Sequence, residues 1–219
     1  MKTPLRRRTL PVMQAARSVR GSPPAYALLT ACASLLLLGA CASPREHLYA
    51  LEPPAGESVP AAAAAGPILW VGPVSLPELV DRPQLVLREG AFGVNVLEQE
   101  RWAAPLKDAL PRLLAAELAR RLPRQLVLAT GSLPPEGAAA HLRIDVTRFD
   151  VERDGRAVVA AHWSYRPADD GARRDGSAEA RAAGTGGRGY EGCVDALRRA
   201  SATLADQIAT ALSAAPAPP

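Results

Sequence analysis

Apolar positions along the chain fall into two periods, and each predicts a different element. Gln84 to Arg88 alternates as a strand, and Phe92 to Leu97 alternates again and can pair with it. Leu142, Ile144 and Val146 alternate with Arg143, Asp145 and Thr147, which predicts a half-buried strand. Asp154-Gly155 then signals a hairpin, and Val159, Ala161, Trp163 and Tyr165 share one face of the returning strand, Ala157 to Tyr165. Pro67 to Val74 and Gln125 to Ala129 are short apolar runs between turn residues and read as strands, and Ser177 to Arg181 reads as a more polar edge strand.

Leu106, Leu110, Leu113, Leu114, Leu118 and Leu122 recur at helical spacing from near Trp102. Lys107, Asp108, Arg112, Glu117 and Arg121 mostly take the opposite face. Pro105 suits a first turn, whereas Pro111 predicts a kink or two segments. Val194, Leu197, Ser201, Leu204, Ile208 and Ala211 form the stripe of a second helix over about 190–212. Two helices among five to seven strands predict an α/β fold: a single layered domain, with a mixed β-sheet of about five strands packed with two main helices.

Upstream the pattern changes. Residues 25–40 are almost wholly apolar, with no polar face, and are preceded by Arg6, Arg7, Arg8, Arg17 and Arg20 without a single acid. The run is short for a membrane span, which takes ~20 residues. A basic start, a short apolar run and small residues at its end are the pattern of a secretory signal. Leu38-Gly39-Ala40-Cys41 resembles the lipobox of bacterial lipoproteins, which implies cleavage before Cys41 and acylation of its sulfur and amine. The expected organisation is a signal peptide over 1–40, a lipidated N-terminus and flexible tether over 41–66, a folded domain over 67–212 and a disordered tail over 213–219. Translation can start at Met1 or at Met13.

The charge balance follows from that division. The chain has 26 basic and 22 acidic residues, a net +4. Removing Lys2, Arg6, Arg7, Arg8, Arg17 and Arg20 leaves 20 basic against 22 acidic, a net −2. The basic character belongs to the targeting segment, and a nucleic-acid partner is not expected. Of three cysteines only Cys41 and Cys193 follow the cleavage point, and Cys193 falls on the second helix, where burial is expected.

No catalytic, cofactor or metal site is expected. HExxH, CxxC and GxSxG are all absent. His141 and His162 could face each other across the hairpin, but two histidines without a third ligand make a poor zinc site. GTGGRG at 184–189 lacks the Lys-Ser/Thr ending of a P-loop and reads as a flexible loop. Asp145, Asp150, Glu152 and Asp154 alternate with arginines, as on an exposed strand face. The segment Pro73 to Pro83 is different: its prolines forbid a regular helix, yet it carries Leu76, Leu79 and Val80. Those side chains either pack the loop onto the core or form a ridge for a partner. Leu76, Pro77, Leu79, Asp81, Arg82 and Pro83 are the candidate docking residues.

The stretch VGPVSLPELVDRPQLVLREG at 71–90, followed by RWAAPLKDALPRLLAAELARRL at 101–122, resembles the auxiliary lipoproteins of ABC-type transport systems, the PqiC or YmbA family. Tyr49-Ala50-Leu51 matches its Tyr-x-Leu, Val71-Gly72-Pro73 its first strand, and Asp81-Arg82-Pro83-Gln84 its Asp-Arg-Pro-Gln segment. Arg101-Trp102 and Pro105-Leu106 match the start of its helix, and FDVERDGRAVVAAHW at 149–163 its hairpin. The family often has an aromatic residue just before Asp-Arg-Pro, where this chain has Leu79-Val80. The resemblance implies a non-catalytic subunit of a system moving lipid between two membranes. Its implied partners are an MCE-domain protein spanning the periplasm and an inner-membrane ABC permease and ATPase. Membrane attachment would be through Cys41, and self-association into a homo-oligomer stays open. Ala42, where an aspartate often signals inner-membrane retention, favours the periplasmic face of the outer membrane. The alternative reading is a structural envelope lipoprotein that binds peptidoglycan or another outer-membrane assembly.

Overall fold

The computed structural model describes residues 45–53, 66–129, 135–169 and 171–214. Among the described residues, ten elements occur in the order β1 (His47–Tyr49), β2 (Ile68–Ser75), β3 (Gln84–Glu89), β4 (Gly93–Trp102), α1 (Leu106–Arg121), β5 (Leu126–Leu128), β6 (Ala138–Val151), β7 (Arg156–Pro167), β8 (Arg174–Ala183) and α2 (Glu191–Ser213). They build a five-stranded mixed sheet, β5-β2-β6-β7-β8, and a three-stranded sheet, β1-β4-β3. The fold is α/β, as expected, with the second, smaller sheet added.

Strand β2 runs parallel to both β5 and β6, whereas β6-β7-β8 is an antiparallel meander. A parallel bridge between Arg88 and Glu152 and an ion pair from Arg88 Nη2 to Asp150 at 3.0 Å tie β3 to the far end of β6. The Asp154-Gly155 turn joins β6 to β7, with Gly155 at φ +81°, where a side chain would be strained.

One face of the larger sheet is apolar because β6 and β7 alternate, with a bulge at Thr147-Arg148 of β6 that resets the period. Leu142, Ile144, Val146, Val159 and Ala161 are at most 3% exposed. α2 lies over β6, β7 and β8, while α1 covers β2 and β5. The contact under α2 is rich in small residues, Ala178, Ala180 and Ala182 on β8 and Ala196, Ala200, Ala205 and Ala209 on α2, set among Leu197, Leu204 and Ile208. Small side chains let helix and sheet approach closely, and interiors tolerate few voids. The indole of Trp163 lies over Gly176 on the neighbouring strand, where a Cβ would come within 2.4 Å of the ring.

Several expectations are corrected. Residues 47–49, within the stretch read as tether, form β1 and pair in parallel with β4, and Leu51 is 2% exposed in the core. Pro111 does not divide the helix, and α1 is one segment. The carbonyl it leaves unpaired is that of Lys107, an exposed residue, so water can satisfy it. Glu117 is not on a solvated face. It is fully buried between the helices, where its carboxylate accepts from Arg120 and, at 2.8 Å, from Arg121 Nη1. Arg121 Nε also donates to Asp206 of α2 at 2.9 Å, which links the two helices. The 184–189 loop is fastened to α2, since Thr185 donates its N–H and its hydroxyl to Asp195. Residues 1–44 and 54–65, which include Cys41, and the tail from 215 lie outside the described residues.

Candidate partner-docking site

The candidate loop begins where β2 ends. The N–H groups of Val80 and Asp81 donate to the Pro77 carbonyl at 3.0 and 3.2 Å, and the Arg82 N–H donates to Val80 at 2.9 Å. This tight turn buries Val80 and packs Leu76 and Leu79 against the core. The loop is therefore packed down by its apolar side chains, with Glu78, Asp81 and Pro83 exposed.

The end of the loop meets a second segment. The Trp102 N–H donates to the Pro83 carbonyl at 2.8 Å, which holds the last turn of the loop beside the end of β4 and the start of α1. A cavity of about 350 Å³ opens between them, lined by Asp81, Arg82 and Pro83 on one side and by residues 102–107 on the other. Trp102, 7% exposed, forms its apolar wall while also belonging to the core. The Arg82 side chain is half-buried, and its Nε is fully buried without a hydrogen-bond acceptor among the described residues. No ion pair joins Arg82 to Asp81 among the described residues. At the mouth of the cavity Pro105 occupies the cap position of α1 without a capping side chain. The Pro105 carbonyl takes the Asp108 and Ala109 N–H groups. The N–H groups of Leu106 and Lys107 precede them and have no acceptor within the helix. Among the lining residues at the start of α1, Arg82 and Lys107 stand against Asp81, with Asp108 of the first turn outside the lining.

A second network fixes β1. Tyr49 donates its hydroxyl proton to Glu100 at 2.6 Å and accepts the Tyr190 N–H at 3.3 Å, at the start of α2. His47 Nδ1 stands 3.0 Å from the other Glu100 oxygen. Burial, reinforced by the bond to Glu100, pushes the Tyr49 phenol up to about 12. Burial alone would raise Glu100, but the bonds from Tyr49 and His47 outweigh it and leave the carboxyl below its ordinary value.

The outer face of the larger sheet carries an open groove of about 770 Å³ lined by Trp70, His141, Arg143, His162 and Arg166, among others. The two histidines do not face each other: His141 stands opposite Arg166, and His162 opposite Asp145. Among the described residues, no group of three or more His, Cys, Asp or Glu could hold a metal.

The family described as the ABC-type transport auxiliary lipoprotein component matches residues 49–209. The chain belongs to this family. The intermembrane transport lipoprotein PqiC of Escherichia coli is 29% identical over 96 residues, covering 44% of this chain and 50% of PqiC, and the Shigella flexneri protein of the same name matches equally. The chain thus spans about half the length of these curated relatives. Among solved structures, an uncharacterized protein superposes with a TM-score of 0.60 at 23% identity, over 78% of this chain and all of the other. A Xanthomonas campestris protein superposes with a TM-score of 0.51 at 16% identity, over 74% and 92%. These likenesses concern the fold alone.

In this auxiliary lipoprotein the segments that carry the family resemblance converge. Asp81-Arg82-Pro83 and Trp102 to Leu106 form the two walls of one cavity, while Tyr49 and Leu51 lock β1. Sequence reasoning named the first wall as a candidate and missed Trp102, Pro105, Leu106 and Lys107 as the second. Among the described residues, no helix is long and apolar enough to cross a membrane.

Proposed function

We propose that this auxiliary lipoprotein is a non-catalytic subunit of an ABC/MCE-type intermembrane lipid transport system. It is anchored through acylated Cys41 at the periplasmic face of the outer membrane, and it docks an acidic element of its partner in the Arg82 cavity. The partner in this reading is the MCE-domain protein that spans the periplasm, and an inner-membrane ATPase supplies the energy. The reading is supported above all by the buried Arg82 Nε, which has no acceptor among the described residues and stands in a cavity walled by two family segments. A buried N–H donor left without an acceptor is costly, and an incoming carboxylate or C-terminus would relieve it. Family membership over 49–209 and the PqiC likeness support a transport role.

The test is capture of the MCE-domain protein by the lipidated chain. Arg82→Ala should weaken capture by tenfold or more, the scale of a truncated interfacial charge pair, while the melting temperature hardly changes. Arg82→Lys should restore it only in part, because lysine lacks the planar fork. Unchanged capture by Arg82→Ala would remove the docking assignment. Retention on isolated peptidoglycan without capture would favour the structural envelope role instead.

A further inference from the structure

The tip of the β3-β4 hairpin is Gly90-Ala91-Phe92-Gly93, with the turn made by Gly90 at φ +61° and closed by the Glu89–Gly93 pair. Phe92 is 97% exposed, and Val94 beside it is 38% exposed. None of the four tip residues is charged. Glu89, which flanks them, accepts a bond from Asn95 Nδ2 at 3.0 Å. A single exposed apolar residue is ordinary on a protein surface. The position of this one is not.

Strand β1 runs parallel to β4, with His47 opposite Glu100. The chain ahead of His47 therefore starts from the side of β4 that leads back to Gly93. Arg45, the first described residue, lies about five positions from the tip along β4, or roughly 17 Å at the rise of a strand. Cys41 lies four positions before Arg45, so covalent geometry limits its Cα to about 14 Å from that point, with its sulfur a side chain's length further. The tip and the acylation site can thus meet one surface. The Arg82 cavity borders Trp102 at the opposite end of β4, roughly 30 Å from Gly93.

We propose that the β3-β4 tip is a second membrane contact, with Phe92 inserted at the headgroup–acyl boundary of the leaflet that holds acylated Cys41. The inference rests on the lipid-anchor reading above. An aromatic ring suits that boundary, and an uncharged tip loses little hydration on entering it. Two attachments fix an orientation that one flexible anchor cannot. They turn the hairpin tip to the bilayer and the Arg82 cavity to the periplasm.

The test uses the lipidated full chain on vesicles of phosphatidylethanolamine and phosphatidylglycerol that contain lipid with a nitroxide near the headgroup. Cys193 is buried and Cys41 is blocked by acylation, so Phe92→Cys takes an environment-sensitive fluorophore alone. Glu136→Cys, exposed ahead of β6 at the far end of the larger sheet, serves as the control. The label at 92 should shift to the blue and lose emission to the nitroxide, while the label at 136 should do neither. If the protein floats with the vesicles and the two labels behave alike, the membrane contact is wrong and the anchor stands. If the protein stays in the aqueous fraction, the anchor reading fails and the inference falls with it.

Discussion

Tyr49 and Glu100 share a 2.6 Å hydrogen bond that fastens β1 to β4, and the same phenolic oxygen receives the Tyr190 N–H from the start of α2. Three parts of the chain meet at one hydroxyl group. Tyr49→Phe keeps the ring and removes the hydroxyl, which leaves the shielded Glu100 carboxylate short of a donor. The expected cost is about 1–3 kcal/mol, read as a lower denaturation midpoint with an unchanged slope.

The same pair sets a pH dependence at both extremes. The Tyr49 phenol is raised from its ordinary 10.0 to about 12. Its contribution to stability is therefore complete below pH 10 and is lost as the pH rises through about 12. Ultraviolet titration should show one tyrosine ionising near pH 12, absent in Tyr49→Phe. Glu100 is depressed, so its contribution is present above the ordinary carboxylate pKa and fades as the pH falls through the lower folded value.

Glu117 and Asp206 both bind Arg121, but in different surroundings. The Glu117 side chain is fully buried, whereas that of Asp206 is 61% exposed. Glu117→Ala should cost about 3 kcal/mol, because Arg120 and Arg121 then lose a shielded counter-charge. Asp206→Ala should cost less than about 1 kcal/mol. Thermal unfolding of the two variants in parallel distinguishes the pairs, and equal losses would contradict the burial argument.

Gly176 is empty space filled by its neighbour. A methyl group there would stand 2.4 Å from the Trp163 ring, so Gly176→Ala should displace the indole and cost about 1–3 kcal/mol as an overpacked contact. Tryptophan emission should change before any unfolding occurs, because the ring itself must move.

Elements with a sustained period were legible from the residues: the leucine stripe of α1, the alternation of β6 and β7, and the turn at Asp154-Gly155. β1 was not, because three residues amid prolines and polar groups carry no period. Its strand character comes from pairing with β4 and from Leu51 entering the core. Glu117 misled for a related reason. On a helical wheel it adjoins solvated positions, and only the approach of α2 removes it from water. Half of the candidate site was legible, since Arg82 and its neighbours stood out as a proline-bounded apolar segment. The other half depends on one backbone bond, Trp102 to Pro83, and on the β3-β4 register, neither of which periodicity encodes.

The parallel pairing of β1 with β4 has a mechanical consequence. A pull on the N-terminal segment, directed along β1, loads the His47–Glu100, Leu48–Arg101 and Tyr49–Trp102 pairs together in shear. It cannot peel them one after another from a free end. Buried Leu51 and the Tyr49 clamp lie immediately behind and take up what passes through. A three-residue strand can in this way carry a load applied ahead of it into the folded body.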